Sequence, residues 1–422
     1  RFGVLPVKAF AAVVAILLAA PVSAATISIS CGAVGQELEL CREGAEAWAE
    51  ESGHEVRIVS TPNSTTDRLA LYPQMLAAGA GDIDVYQIDV VWPGILAPHL
   101  IDLAPFSDGA EAAHLPAVVA NNTVDGELKA MPWFTDAGLL FYRRDLLEKH
   151  GEQVPETWEE LAATAARVVE AERAEGDDAL RGFVFQGKAY EGLTTNALEW
   201  IASHGGGTIV DDAGAITIDN PAAAEALAEA ASWVGTIAPE GVLAYTEEEA
   251  RGVFQSGRAV FMRNWPYAWA LAQAGESPVR ARVGVAALPK GGPEGTHVGT
   301  LGGYQLAVSR YSESPEIAAD LVMHLTGEEE QKRRAIAGAF NPTIAALYED
   351  ADVLAAVPFL ASLRETVTNA VARPSGVTGE DYNKVSAAFW GTVHEVLAGQ
   401  AEPEPALARL ARDLARIRRD GW

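Results

Sequence analysis

The hydrophobic and polar positions of this chain switch repeatedly between strict alternation and helical spacing. Thr26-Ile-Ser-Ile-Ser30 alternates and predicts a strand, Gly35 to Glu51 gathers its apolar residues on one helical face, and Glu55-Val-Arg-Ile-Val-Ser60 alternates again; together they form a β-α-β unit. The first helix stops at Ser52-Gly53, and a second around Arg68–Ala78 leads through Gly79-Ala-Gly81 to the strand Ile83–Ile88, the third of a parallel sheet. Open α/β sheets bind ligands beyond the carboxyl ends of their strands, which makes Glu37, Arg68 and Asp89 candidates for a cleft.

The same alternation runs through the next block. Gly138-Leu-Leu-Phe-Tyr142 predicts a strand and Thr157-Trp-Glu-Glu160 a capping box that opens a helix. Phe183–Phe185 predicts a strand, Asn196–Ser203 a helix closed by Gly205-Gly-Gly207, and Asn220-Pro221 the start of an Ala-rich helix reaching Trp233. Thr246-Glu-Glu-Glu249 caps a further helix, Ala259–Met262 is a strand, and the loop Lys290–Gly295 and the pair Gly302-Gly303 precede a strand at Leu306–Val308. The last third is mostly helical and ends in Ala406–Arg419, with no internal repeat. Strands and helices in this order predict an α/β fold.

The first residues read differently. Lys8 precedes the apolar run Ala9–Ala20 and then Pro21-Val-Ser-Ala24, the pattern of a signal peptide cut before Ala25 and shorter than the roughly 20 residues that span a bilayer. Its removal leaves a soluble chain of about 400 residues, enough for two α/β domains. The formal net charge of −27 repels nucleic acid and otherwise predicts a solvated acidic surface. Cys31 and Cys41 are the only cysteines, and in an oxidising compartment they are expected to form a bridge. The eight histidines are scattered without ligand spacing, so no metal or other cofactor is expected.

Candidate chemistry lies where aromatic rings stand beside acids, amides and arginine: Trp133-Phe-Thr-Asp136, Tyr190-Glu191, Arg263-Asn-Trp-Pro-Tyr-Ala-Trp269 and Gly303-Tyr304. A pyranose offers an apolar face that covers a ring and a belt of hydroxyls that needs donors and acceptors, which carboxylates and arginine provide. Each residue also has a structural reading. Asp89 could cap a helix, Asp136 could hold hinge N–H groups, and Glu37 could be a first-turn acid.

Taken together, Ile88-Asp-Val-Val-Trp92, Asp136-Ala-Gly-Leu-Leu-Phe-Tyr-Arg-Arg144, Gln186-Gly-Lys-Ala-Tyr-Glu-Gly192, Arg263–Trp269 and Thr300-Leu-Gly-Gly303 resemble the trehalose/maltose-binding members of family 1 of the extracellular solute-binding proteins. The resemblance covers nearly all of residues 25–420. It implies a type II periplasmic-binding-protein fold, two lobes each with a mixed sheet flanked by helices, joined by crossings near Asp136, Tyr304 and Asn341-Pro342. The implied division is a signal peptide at 1–24, a first lobe of 25–136 with 305–350, and a second of 137–304 with 351–422. It further implies a periplasmic, monomeric receptor that passes an α-linked glucose disaccharide to the membrane subunits of an ABC permease.

By the same resemblance, Glu37 and Asp89 accept sugar hydroxyls, Arg68 orients them, and Asp136 reads a glucose ring. Phe134 stands where relatives often carry Tyr, and Trp265 and Tyr267 match a stacking platform. Gly302, Gly303 and Tyr304 fall where relatives often have Gly-Gly-Trp. Arg373, in Asn369-Ala-Val-Ala-Arg-Pro374, matches an arginine that reaches the ligand, and Tyr190 opens a cleft-facing helix. The rival class is a secreted glycoside hydrolase using Glu37 and Asp136 about 5 Å apart as acid and nucleophile. Against it, neither acid lies in a hydrolase motif, and the chain has no G-x-S-x-G or P-loop.

Overall fold

The computed structural model describes residues 24–79, 81–361, 366, 370–419 and 421–422, so the expected signal peptide lies outside the described residues apart from Ala24. Two sheets organise the chain. The first contains β1 (Thr26–Cys31), β2 (Glu55–Ser60), β3 (Val85–Asp89), β4 (Met131–Ala137) and β9 (Leu301–Val308) in the order β2-β1-β3-β9-β4. β1 pairs in parallel with β2 and β3, whereas β9 runs antiparallel to both β3 and β4. The second sheet contains β5 (Leu139–Arg143), β6 (Arg181–Val184), β7 (Ala259–Asn264) and β8 (Val283–Ala287) in the order β8-β5-β7-β6.

The principal helices are α1 (Glu37–Ser52), α2 (Thr65–Ala77), α3 (Trp158–Ala174), α4 (Glu191–Ser203), α5 (Pro221–Trp233), α6 (Glu247–Gln255), α7 (Pro315–Thr326), α8 (Glu328–Gly338), α9 (Tyr382–Leu397) and α10 (Pro403–Arg418). They cover the sheets and bury an apolar cluster on each side. Ile27, Ile29, Val85, Leu306 and Leu325 belong to one cluster of the first sheet, and Trp158, Phe183, Trp200, Trp233 and Phe389 to the largest of the second. Among the described residues no helix is long and apolar enough to cross a membrane.

Local chemistry accounts for the helix starts. Asn220 Oδ1 accepts from Ala223 N at 3.0 Å with Pro221 at the first helical position, and Glu249 Oε2 accepts from the Thr246 backbone at 2.8 Å. At Thr157 the expected box closes on one side only: Thr157 Oγ1 accepts from Glu160 N at 3.1 Å, but the Glu160 carboxylate takes the N–H of Glu156 at 2.8 Å. Two helices start earlier than periodicity predicts. α2 begins at Thr65, behind Ser64 as its cap, and α4 begins at Glu191 rather than Asn196, because both sides of its first turns are buried and show no amphipathic period.

A larger correction concerns Gly302-Gly303, placed ahead of the strand expected at Leu306–Val308. Both lie inside β9, which starts at Leu301 and pairs with the first sheet along its whole length, so residues 301–304 belong to that sheet. Gly303 has φ +119°, and a Cβ there would sit 2.3 Å from the Phe134 carbonyl, so glycine serves close strand contact rather than a turn.

The chain passes between the sheets at Gly138, between β4 and β5. A Cβ at Gly138 would fall 2.0 Å from Glu199 Oε1 and 2.6 Å from Arg263 Nη2, so the crossing lies flush on that buried ion pair. The return at Gly299–Leu301 rests on the same pair, since Thr300 N donates to Glu199 Oε1 at 3.0 Å. Near the third passage Thr135 N donates to Asn341 O at 3.0 Å.

Cys31 and Cys41 are joined by a buried disulfide that ties the end of β1 to α1 across a separation of 10 residues. Closing a loop of this size contributes about 3 kcal/mol to folding. The double variant Cys31→Ser/Cys41→Ser should therefore lower the urea midpoint by the equivalent of that energy; an unchanged midpoint would show that the bridge adds nothing.

Candidate functional site

Side chains from both sheets meet around one cleft. The first wall begins where α1 starts. Glu37, 2 % exposed, accepts from Gln87 Nε2 at 3.0 Å and from Val34 N at 3.3 Å. Burial raises its pKa, and the charges of Arg68 and Arg334 oppose the rise. Asp89 closes β3, and its Oδ1 accepts from Val91 N at 3.1 Å and from Arg373 Nη2 at 3.0 Å.

The floor is set by strand register. Tyr304 pairs with Phe134 and Gly302 with Asp136, so two rings and one acid emerge from neighbouring strands on the same face. Asp136 Oδ1 is buried without a hydrogen-bond partner, and so are both polar side-chain atoms of Asn341. Burial pushes the Asp136 pKa well above the usual carboxylate range; Glu37 and Asp89 add repulsion while Arg263 and Arg334 oppose it.

The second wall comes from the other sheet and its helices. Trp265 follows β7 and reaches over Gly302, where a Cβ would lie 3.1 Å from its ring. Arg263 backs the indole, its Cζ 3.9 Å from the ring centroid. Tyr267 OH donates to Glu248 Oε1 at 2.7 Å, and Trp265 Nε1 lies 3.5 Å from Glu247 Oε1. Glu191 bonds to Arg373 Nη1 at 2.8 Å, to Ser386 Oγ at 2.5 Å and to the Tyr382 hydroxyl. Arg373 thus bridges an acid at the end of the first sheet and an acid of α4.

The structure brings Glu37, Asp89, Phe134, Asp136, Trp265, Tyr267, Gly302, Gly303, Tyr304 and Arg373 to the cleft lining. It does not bring Arg68 or Tyr190. Arg68 is buried behind the floor, where Nε and Nη2 donate to the Pro62 carbonyl at 3.2 and 3.0 Å and the guanidinium lies 4.9 Å from the Tyr304 ring centroid. Tyr190 turns inward ahead of α4, its hydroxyl so close to Gly192 that a Cβ there would sit 2.1 Å away. Glu191, named beside Tyr190 as candidate chemistry but given no role, and Glu247, read as part of a cap, also line the cleft. The signal for Glu247 was present in the capping box, which employs Thr246 and Glu249 and leaves the two acids between them, Glu247 and Glu248, outside the cap. Among the described residues no cluster of His, Cys, Asp or Glu could hold a metal ion.

Such a cleft, acidic in its polar groups and aromatic in its walls, suits a neutral polyhydroxylated ligand. The model of the bacterial extracellular solute-binding protein family matches residues 36–332. The chain belongs to this family. A probable ABC transporter-binding protein of Deinococcus radiodurans is 53% identical over 98% of this chain and 100% of its own length. Maltose-bound T. maritima MalE3 superposes with a TM-score of 0.89 at 41% identity, covering 93% of this chain and 100% of that one. The fold is shared more widely: a solute-binding protein of Thermotoga lettingae bound with α-D-tagatose gives a TM-score of 0.83 at 22% identity, over 94% of this chain and 100% of its own. These likenesses are to sugar receptors of ABC transport systems with the type II periplasmic-binding architecture. An extracellular solute-binding protein works in the periplasm or outside the cell and holds its ligand unchanged, which sets aside Glu37 and Asp136 as a hydrolytic pair.

Arg263 and Glu199 are both fully buried and anchor Trp265 as well as two crossings. Removing one partner leaves a buried charge uncompensated, which costs about 3–5 kcal/mol. Glu199→Ala should accordingly lower the unfolding free energy by that amount in denaturant melts; a loss under about 1 kcal/mol, the worth of an exposed pair, would refute the assigned role.

Proposed function

We propose that this protein is the sugar-binding receptor of an ABC importer and that it closes its lobes on an α-linked glucose disaccharide, maltose or trehalose, with sucrose and palatinose as further candidates. One observation carries the reading: Trp265 of the second lobe faces Phe134, Asp136 and Tyr304 of the first across a single cleft. The likeness to a maltose-bound relative at 41% identity supports the choice of sugar.

In this reading Glu37, Asp89, Asp136 and Glu247 accept sugar hydroxyls, Trp265 and Tyr304 cover the apolar ring faces, and Arg373 donates from between the lobes. Arg68 acts from behind Tyr304. The moving bodies are residues 25–136 with 305–350 and residues 137–304 with 351–422, except that all of β9 travels with the first. Contacts between them support closure as the binding event. Glu191 N donates to Thr66 Oγ1 at 3.0 Å, Arg373 bonds to Asp89, and Tyr267 packs into the first lobe's apolar cluster. A sugar touching both walls favours the state in which these contacts exist, and the permease subunits then receive the closed monomer. The leader at residues 1–24 would deliver the chain to the periplasm.

Titration calorimetry tests this. Maltose or trehalose should bind with a dissociation constant near micromolar, about −8 kcal/mol. Trp265→Ala should weaken binding by about 2–3 kcal/mol through lost ring contact. Absence of heat with every one of the four disaccharides, or an unaltered affinity in Trp265→Ala, would overturn the proposal.

A further inference from the structure

Arg334 has no part in the reading above. It lies on α8, is 1 % exposed, and among the described residues none of its Nε, Nη1 and Nη2 atoms has a hydrogen-bond partner. A guanidinium that gives up water normally gains carboxylate or carbonyl acceptors. This one is held by ring faces instead: its Cζ lies 3.8 Å from the centroid of Trp133, 4.8 Å from Phe340 and 5.4 Å from Phe134. Phe134 and Phe340 also line the cleft, so the cation sits behind the aromatic wall.

The ionisable groups around it differ in how far they are committed. On its own helix, Glu330 bonds to Arg333 at 2.6 and 2.8 Å, and Arg333 also reaches Glu43 at 2.6 Å. Glu37 of α1 and Asp136 of β4, both buried and both lining the cleft, interact with it electrostatically, and Asp136 is two positions from the caging ring of Phe134 on the same strand. Asp136 is in turn flanked by Glu37, Asp89, Tyr348 and Arg263, of which Arg263 is engaged with Glu199; Glu37 has Arg68, itself turned to Pro62. Arg334 is therefore a cation near both acids whose donors are given to no carboxylate. Burial lowers its pKa to about 10, which leaves it charged at neutral pH.

We propose that Arg334 is a positioning residue for sugar binding: its guanidinium, caged by Trp133, Phe134 and Phe340, supplies the fixed positive charge that holds Glu37 and Asp136 as carboxylates ready to accept hydroxyls. The inference rests on the sugar-receptor reading and adds to it the device that sets the pH range over which the cleft binds. Sugar hydroxyls donate to the charged acids, so affinity rises as pH climbs through the pKa values of the acids in the empty cleft. Without the cation those values move up, and the rise in affinity moves to higher pH.

The test is maltose titration of the whole mature protein between pH 5 and 9 for the wild type, Arg334→Met, Arg334→Gln and Arg334→Lys, with melting temperatures taken in parallel. Methionine fills an aromatic slot well and glutamine is a second neutral replacement, so at least one folded neutral variant is available. Either should bind several-fold more weakly than wild type at the acid end of that range, with the gap closing as pH rises. Arg334→Lys should recover most of the difference. A loss that is equal at every pH would mark Arg334 as a packing residue and overturn the proposal, as would no loss at all. A wild type silent to every sugar would instead sink the receptor reading, and this inference with it.

Discussion

The cleft is governed by the cost of gathering acids away from water. Glu37, Asp89, Asp136, Glu191 and Glu247 all line it, and carboxylates in such a place repel one another and lose hydration. The structure answers with guanidinium groups, most of them one layer behind the surface. Arg263 backs Trp265 at 3.9 Å, Arg68 lies 4.9 Å from Tyr304, and Arg334 lies 5.4 Å from Phe134. Each cation is screened from the cleft by the ring it supports. The cations oppose the rise in pKa that burial imposes on Glu37 and Asp136, and the rings keep a face towards the cleft. Among the described arginines only Arg373 lines the cleft, between Asp89 and Glu191.

The same arrangement explains why the crossings are narrow. Gly138 has no side chain because Glu199 and Arg263 occupy the space that a Cβ would need, and Thr300 returns against the same carboxylate. One buried ion pair therefore joins Trp265 to two passages between the sheets. Replacing such a pair by apolar residues often costs little stability, so its placement at the joint is better explained by the fixed geometry it imposes than by net energy.

Much of the fold was legible in the chain. The β-α-β opening, the caps at Asn220 and Thr246, the Cys31–Cys41 bridge and the α/β class all follow from local patterns that the structure contains. Legibility failed where tertiary burial replaced local signals. α4 is buried on nearly every side, so its first turns lack helical periodicity, and Gly302-Gly303 looks like a turn although close strand packing is what demands it. In the candidate site, motif resemblance singled out residues that line the cleft together with two, Arg68 and Tyr190, that stand behind it. It gave no role to Glu191, Glu247 or Arg334: Glu191 lies ahead of the helix that periodicity starts at Asn196, Glu247 reads as part of a cap, and Arg334 lies in a charged run.

What the sequence determined by itself is the set of elements and the kinds of chemistry on their ends, because periodicity, caps and turn residues act over a few neighbouring positions. Which end groups meet was decided only by tertiary structure. Asp89 and Glu191 are over a hundred positions apart and share one arginine from near the C-terminus, and the face on which Phe134, Asp136, Gly302 and Tyr304 emerge depends on strand register. Direction into the cleft or away from it is settled by packing against distant partners, as the Pro62 carbonyl does for Arg68. No local pattern encodes that choice.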